Sequence, residues 1–298
     1  MKKEMSLLLA VGVLVGAREA ICTITLYQGQ SLYHYIRVEE SGSVRTLHFR
    51  RRGTEYDESM VDIAQPLRLG MRYYRLMFAG FLFVPEPKRV LMVGLGGGTV
   101  SRVVAHYFPE AQVDSVEIDP EVVKIAKNYF LFREGGNIKV FIRDGRVHIK
   151  SLVRRKAKYD IIMLDAFRGG YIPYHLTTKE FLQECRNILA PGGVVVGNLW
   201  DTSRLYEYQR RTFATVFESH HAFGGGGNKI LVAIPRKVKV SKKELSERAE
   251  ELQKQRKFSF LMKSVVDEFD SRIDYRTRGE LLVDGLAPVN ILRSQPLR

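Results

Sequence analysis

The chain has 298 residues, 45% of them hydrophobic, and a formal net charge of +14 at pH 7. This length and apolar content suffice for one large or two modest domains, and they exclude an intrinsically disordered chain. Cys22 and Cys185 lie far apart with no CxxC spacing, which argues against a disulfide framework or a structural zinc. We expect Cys185 to be a core residue on an apolar helical face, and we expect no metal site.

Basic clusters at 50–52, 154–156 and 236–243 would attract nucleic acid, anionic lipid or acidic substrates, although a solvated basic surface explains them equally well. The sequence lacks the alternation of aromatic and basic residues that would indicate a specific nucleic-acid partner. The apolar run 6–17 is too short to cross a bilayer. It could be a signal segment, a buried element or the remnant of a membrane anchor. We expect a cytoplasmic protein, with contact to a membrane surface left open.

The N-terminal part of the chain has the pattern of a small antiparallel sheet. β-Branched and aromatic residues at 21–27, 32–39 and 44–49 are separated by turn signals at 28–30 and 40–43. Residues 57–84 then change to helical spacing, and two prolines end that segment.

Apolar strands and helices alternate in the middle of the chain. Strands are predicted at 89–93, 113–117, 138–142, 159–165 and 193–199, with helices near 99–107, 120–130, 145–154 and 178–189. This alternation indicates a parallel sheet covered by helices on both faces. A helix near 203–217 and an antiparallel hairpin around the four glycines 224–227 follow. The predicted fold is α/β: a Rossmann-like sheet of the S-adenosylmethionine-dependent methyltransferase type with a terminal antiparallel hairpin, preceded by a small N-terminal β domain.

Further local signals define the remaining boundaries. Thr177–Glu180 reads as a capping box, Pro191–Gly193 as a helix stop and turn, and 241–270 as two charged amphipathic helices. The apolar tail 281–290 should pack on the core. The predicted organisation is listed in chain order: an apolar segment at 1–20, a β domain with a linking helix at 21–84, a nucleoside-binding domain at 85–236, and a helical extension with a tail at 237–298.

A glycine-rich turn, Gly94-Leu-Gly-Gly-Gly98, follows the first strand of the predicted parallel sheet. Such a turn brings the backbone close to a ligand, and Glu117 at the end of the next strand can accept hydrogen bonds from ribose hydroxyls. The third glycine of a dinucleotide fingerprint would fall at Thr99, so a pyrophosphate is disfavoured. A nucleoside such as S-adenosylmethionine fits better, although a tight structural turn is the alternative. The predicted nucleoside-binding residues are Gly94, Gly96, Gly97, Gly98, Glu117, Asp144 and Gly145.

Acidic residues follow three successive strands of this sheet. Ligands of doubly wound sheets bind outside the carboxyl ends of the strands. There Glu117 would hold the ribose, Asp144 the adenine amino group, and Asp165 would face the reacting centre. Each acid could instead cap a helix, but three in register favour a shared site.

The loop after Asp165 has the composition of a lid over a substrate. It contains two glycines together with Arg168, Tyr171, Tyr174 and His175. His175 could act as a base, but a loop histidine hydrogen-bonded to backbone is the favoured interpretation.

Together these stretches resemble the spermidine synthase (polyamine aminopropyltransferase) family, in particular its divergent bacterial branch. The matching stretches are 94–98, 116–120, 144–145, 164–167, 175–181, 189–193, 228–233 and 287–290. The resemblance implies a Rossmann-like domain behind a small β domain and a homodimer. It also implies aminopropyl transfer from decarboxylated S-adenosylmethionine to a small amine acceptor, with no permanently bound cofactor. Under it Glu117 holds ribose, Asp144 adenine, and Asp165 is catalytic on the amine side.

Two positions depart from the pattern of that family. Thr99 and Arg168 stand where spermidine synthases carry aspartates that receive cationic amines. The nucleoside half of the site is therefore expected to be kept and the diamine half rebuilt, and the net charge points the same way. Three functions remain open: an aminopropyltransferase, a methyltransferase using S-adenosylmethionine on a neutral or anionic acceptor, and a non-catalytic nucleoside-binding protein.

Overall fold

The computed structural model describes residues 22–285, which form two β-sheets and the helices packed on them. The smaller sheet is antiparallel, with neighbouring strands in chain order. Its strands are β1 (Thr23–Gln30), β2 (Tyr35–Ser41), β3 (Val44–Arg51) and β4 (Thr54–Asp62). The predicted N-terminal β region is confirmed, with each of its first three strands displaced or extended by a few residues.

The predicted helical segment at 57–84 is wrong in its first part, because β4 occupies it up to Asp62. The strand is started by a two-residue turn in which Arg52 and Gly53 both have positive φ, at 49° and 82°. Such a turn matches the twist of a hairpin, so the chain pairs back on β3. Helical structure begins only with α1 (Arg72–Met77), which continues into a 3₁₀ helix at Phe78–Leu82.

The larger sheet has eight strands in the order β12-β10-β11-β9-β8-β5-β6-β7. The strands β5 to β9 are parallel to one another, and β10 to β12 add antiparallel pairs at one edge. These strands are β5 (Arg89–Val93), β6 (Gln112–Glu117), β7 (Ile138–Ile142), β8 (Tyr159–Leu164), β9 (Leu189–Trp200), β10 (Ser219–Gly224), β11 (Asn228–Ile234) and β12 (Phe269–Asp270). The predicted fold class is confirmed.

Helices connect the parallel strands and cover both faces of the sheet. They are α2 (Thr99–Tyr107), α3 (Pro120–Tyr129), α4 (Gly145–Arg154), α5 (Lys179–Asn187), α6 (Tyr206–Val216), α7 (Lys242–Arg256) and α8 (Lys263–Asp267), with a 3₁₀ helix at Tyr174–Leu176. Buried apolar side chains on the two faces form separate clusters, one of which includes α7 and α8. The completely buried Cys185 belongs to the other cluster, as predicted.

Two local predictions around α5 are wrong in position. The capping residue of α5 is Thr178, whose hydroxyl accepts from the amide of Phe181 at 3.3 Å, whereas the side chain of Thr177 donates to a carbonyl behind it. The segment Pro191–Gly193 is not a turn before β9 but an irregularity inside it, where the pairing with β8 shifts register. Gly193 is required there, because a Cβ would lie 2.9 Å from the backbone oxygen of Asp160.

The small sheet packs on the large domain through α3. Val122, Ile125 and Phe130 are buried against apolar residues of β2, β3 and β4. This packing places β4 beside the glycine turn after β5 and leaves a cleft above the carboxyl ends of the parallel strands. The predicted segment 1–20 and the tail after residue 285 lie outside the described residues. Between residues 22 and 285 no helix is long and apolar enough to cross a membrane.

Candidate active site

A cavity of about 240 Å³ lies between the carboxyl ends of β5, β6 and β8 and the small N-terminal sheet. Its described wall is acidic although the protein as a whole is basic. The acids that line it are Asp57, Glu58, Glu117, Asp144 and Asp165, and Arg168 is the one arginine or lysine among the described lining residues. The three acids predicted from the strand ends therefore share one cavity.

The glycine turn forms the floor of this cavity, but its glycines have different roles. Gly94 and Gly96 line the cavity, and both have positive φ, at 96° and 54°. A Cβ on Gly94 would lie 2.3 Å from the backbone oxygen of Asp165, so only glycine allows β5 and β8 to close at this point. Gly97 and Gly98 pack beneath the turn, where added Cβ atoms would collide with aromatic rings.

Glu117 is held rigidly at the end of β6. It is 8% exposed, and its two oxygens accept from the amides of Leu95 and Asp119, each at 3.0 Å. Burial raises the pKa of this carboxyl. Each oxygen retains a further lone pair, so the carboxylate can still accept hydrogen bonds from two vicinal hydroxyls of a ligand in the cavity.

Asp144 serves both as a helix cap and as part of the cavity wall. One oxygen accepts from the amide of Val147 at 2.9 Å and caps α4. The other lies 2.8 Å from His175 Nε2, and this contact lowers the pKa of Asp144. The preferred interpretation of His175 as a loop residue bonded to backbone is therefore wrong, because its ring pairs with a carboxylate. Gly145 lies beside them, where a Cβ would collide with Val93.

Asp165 lies in the cavity just beyond the end of β8. Its Oδ1 accepts from the side-chain amide of Asn198 at 2.8 Å. The neighbouring hydroxyl of Tyr73, which donates to the backbone oxygen of Glu58 at 3.4 Å, also favours the ionised form of this carboxyl. Burial raises the pKa of Asp165 to about 7. Neither neighbour is charged, so the carboxylate has no cationic partner among residues 22–285.

Glu58 is a second uncompensated acid, and it was missed in the sequence because β4 was interpreted as a helix. It reaches the cavity from β4 and accepts from the amide of Gly169 at 3.1 Å. Burial first, and then the neighbouring Asp165, raise the pKa of Glu58 to about 8. The Arg52-Gly53 turn and the alternation after it were the signals that could have placed this residue in a strand.

The two positions that depart from the family pattern are not equivalent in space. Thr99 is 1% exposed at the start of α2, and its hydroxyl donates to the backbone oxygen of Met60 at 2.9 Å. This hydrogen bond links α2 to β4 and leaves no free donor on the Thr99 hydroxyl. Arg168 is exposed at the rim, where it donates to the backbone oxygen of Tyr33 at 3.4 Å. His34 nearby is half of a stacked pair with Phe49, and burial lowers its pKa to about 4.

The predicted substrate loop is tied down at both of its flanks. On one side the guanidinium of Arg51 lies 3.9 Å from the ring centre of Tyr171, which contacts β3 rather than the cavity. On the other side the hydroxyl of Tyr174 donates to the backbone oxygen of Val283 at 2.8 Å. The loop therefore closes the cavity against the small sheet and the C-terminal segment. Within the described part of the chain, no group of three or more histidine, cysteine, aspartate or glutamate residues could hold a metal ion.

Comparison with known proteins agrees with this geometry. Residues 73–223 match the spermine/spermidine synthase domain. The polyamine aminopropyltransferase of Vibrio vulnificus is 35% identical over 90% of this chain and 91% of its own length. A probable spermidine synthase from Corynebacterium glutamicum has a similar fold, with a TM-score of 0.66 and 23% identity over 87% of this chain and 98% of its own.

A methyltransferase also shares part of this chain. The structure of human methyltransferase-like protein 13 in complex with SAH superposes with a TM-score of 0.57 and 30% identity. It covers 63% of this chain and 93% of that one. The extended match to the aminopropyltransferase and the matching domain decide the assignment: the chain belongs to the spermine/spermidine synthase family.

Proposed function

We propose that this protein is a polyamine aminopropyltransferase that transfers an aminopropyl group from decarboxylated S-adenosylmethionine to an amine acceptor. The single observation that carries the proposal is the position of Asp165. This carboxyl lies beside the predicted nucleoside-binding residues, in an acidic cavity, without a described cationic partner. An uncompensated buried carboxylate is costly, and a cationic substrate removes that cost.

The order of the strands supports an orientation for the donor. Asp144 follows β7, Glu117 ends β6 and the glycine turn follows β5, while Asp165 lies beyond β8. Adjacent strands are about 4.8 Å apart, so adenine at Asp144 and ribose at Glu117 would bring the sulfonium over the glycine turn. The reactive arm would then point towards Asp165.

The chemistry required is an in-line displacement. The nitrogen lone pair of the acceptor forms a C–N bond as the C–S bond breaks, and the electron pair of that bond returns to sulfur to give methylthioadenosine. The new ammonium must lose a proton. Asp165 is suited to accept it, because a pKa of about 7 is matched to transfer near neutral pH. The protein otherwise contributes mainly orientation.

The test is a product assay by mass spectrometry with decarboxylated S-adenosylmethionine and a diamine such as putrescine. We expect a product that has gained one aminopropyl group, and equimolar methylthioadenosine. Absence of both products from wild-type protein that binds methylthioadenosine would refute the proposal. Asp165→Asn should still bind the nucleoside but turn over poorly.

A methyltransferase is the second candidate, and the 30% identity to the SAH-bound human protein is the observation in its favour. It requires S-adenosylmethionine as donor and an acceptor compatible with an acidic cavity. The same assay with S-adenosylmethionine distinguishes the two functions, because methyl transfer produces S-adenosylhomocysteine and leaves no methylthioadenosine.

A further inference from the structure

Two of the carboxyls that line the cavity have no part in the proposed reaction. Asp57 lies 2.9 Å from the ring of His48, which leaves Glu58. Glu58 belongs to the small sheet, whereas the nucleoside and the proton acceptor are assigned to the large one. The ion pairs of residues 22–285 include Glu39, Glu40 and Glu55 from the same sheet, but none involves Glu58. The one described hydrogen bond to its carboxyl comes from the amide of Gly169 in the substrate loop.

Glu58 lies beside the glycine turn, over which the proposed orientation of the donor places the sulfonium. A Cβ on Gly96 would lie 3.7 Å from the backbone oxygen of Glu58, so the residue borders the glycine turn. The groups that face its carboxyl are acidic, since Asp165, Glu117 and Asp57 all raise the pKa of Glu58. The sulfonium and its arm would cross this part of the cavity on the way to Asp165.

We propose that Glu58 selects the donor: together with Asp165 it accepts the terminal ammonium of the aminopropyl arm and repels the carboxylate that S-adenosylmethionine carries there. The assignment rests on the proposed function, because it concerns the donor of that reaction. Decarboxylated S-adenosylmethionine bears only the ammonium, whereas S-adenosylmethionine would bring a third carboxylate beside two that lack cationic partners. Specificity through a repulsive contact needs no additional attraction to the correct ligand.

This assignment also gives a physical account of the uncharged residue at position 99. The hydroxyl of Thr99 is committed to the backbone oxygen of Met60 and offers the arm no charge. A carboxylate is supplied instead from the opposite wall by Glu58, two residues before Met60 on β4. The acidic environment of the arm is thereby rebuilt from the small sheet.

The experiment measures affinities of wild-type protein, Glu58→Gln and Glu58→Asp by calorimetry at pH 9, at which the carboxyl of Glu58 is ionised. The ligands are decarboxylated S-adenosylmethionine, S-adenosylmethionine and methylthioadenosine, which lacks the charged arm. We expect Glu58→Gln to reduce the preference for the decarboxylated donor on the order of 10- to 100-fold and to leave methylthioadenosine unchanged. Glu58→Asp keeps the charge and should retain most of the preference.

Glu55→Gln is the matched control, because it removes the same charge from the same strand outside the cavity wall. Its donor preference should equal that of the wild type. A Glu58→Gln protein that binds methylthioadenosine normally and keeps the wild-type preference overturns the assignment. If the wild type also forms the aminopropyl product, the proposed function survives that result. If the wild type forms no aminopropyl product but Glu58→Gln loses the donor preference that the wild type shows, the proposed function is refuted and the role of Glu58 is supported.

Discussion

Asp165→Asn should stabilise the protein at alkaline pH while removing its activity. The carboxyl of Asp165 has its pKa raised from 3.8 to about 7 by burial. The folded state therefore holds this proton more tightly than the unfolded state does. As the pH rises from about 4 to 7 the unfolded chain loses the proton first, so the carboxyl lowers the free energy of unfolding over that range. Asparagine does not ionise and avoids this loss.

The size of the effect follows from the shift in pKa. A shift of about three units at about 1.4 kcal/mol per unit gives a ceiling of about 4 kcal/mol. Asp165 borders an open cavity, where water solvates part of the charge, so we expect roughly half of that ceiling, about 2 kcal/mol. Loss of the like-charged neighbour also favours ionisation of Glu58 in the variant, which adds to the effect with the same sign.

The assay is urea unfolding of wild type and variant at pH 4 and pH 8. The free energy of unfolding of Asp165→Asn minus that of the wild type should be about 2 kcal/mol larger at pH 8 than at pH 4. Asp267→Asn, at an exposed aspartate on α8, is the control and should give a much smaller change. In parallel, kcat should fall by about 10²–10⁴-fold with donor binding retained. A difference that is independent of pH, or that favours the wild type at pH 8, would refute both the poorly solvated carboxylate and its suitability as a base.

Three further variants test the glycine turn, the ion pair that holds the substrate loop, and the arginine at the rim of the cavity. Gly94→Ala should lose donor binding and about 2–4 kcal/mol of stability, whereas Gly53→Ala, with positive φ but open space, should cost about 1 kcal/mol by urea unfolding. Asp284→Asn breaks a two-point ion pair with Arg146, whose guanidinium also donates to a loop carbonyl. We expect limited proteolysis to cleave the loop 166–175 faster in this variant than in the wild type. An unchanged rate would show that the C-terminal segment does not hold the loop in place. Arg168→Asp should lower the KM for a diamine about two- to fivefold, because exposed charges contribute little to binding. An unchanged KM would mean that the guanidinium of Arg168 does not act on the acceptor.

The meeting of three strand-end acids in one cavity was predictable because it depends on local sequence and one topological rule. Glu117, Asp144 and Asp165 each follow a strand that its apolar residues identify, and parallel strands bring their carboxyl ends to one edge. The glycine turn lies within the same unit. The alternating pattern of strands and helices implies the parallel arrangement, and the structure supplies the strand order that brings these residues together.

Glu58 was not found in this way, because the pattern of β4 left its secondary structure open and because its place in the cavity depends on the packing of the small sheet on the large domain. The apolar residues of β4 repeat in a manner that also fits a helix, and the choice is made by pairing with β3 after the Arg52-Gly53 turn. The partner of His175 was missed for a similar reason. The 3₁₀ helix that carries it is held by Arg146, 29 positions before His175, and by Val283, 109 positions after Tyr174, so its orientation depends on distant contacts.

The net charge of the whole chain is a poor guide to the substrate of this protein, because the charges that line the cavity differ in sign from those of the exterior. The +14 charge of the chain would repel polyamines if it acted at the cavity. However, exposed charges are largely screened beyond about 8 Å at physiological ionic strength, whereas partly buried groups that line a cavity are screened much less. Five acids and one rim arginine are the charged residues of the described lining, histidines apart. A cation that enters is therefore governed by Glu58 and Asp165, and the basic exterior affects mainly how fast it arrives.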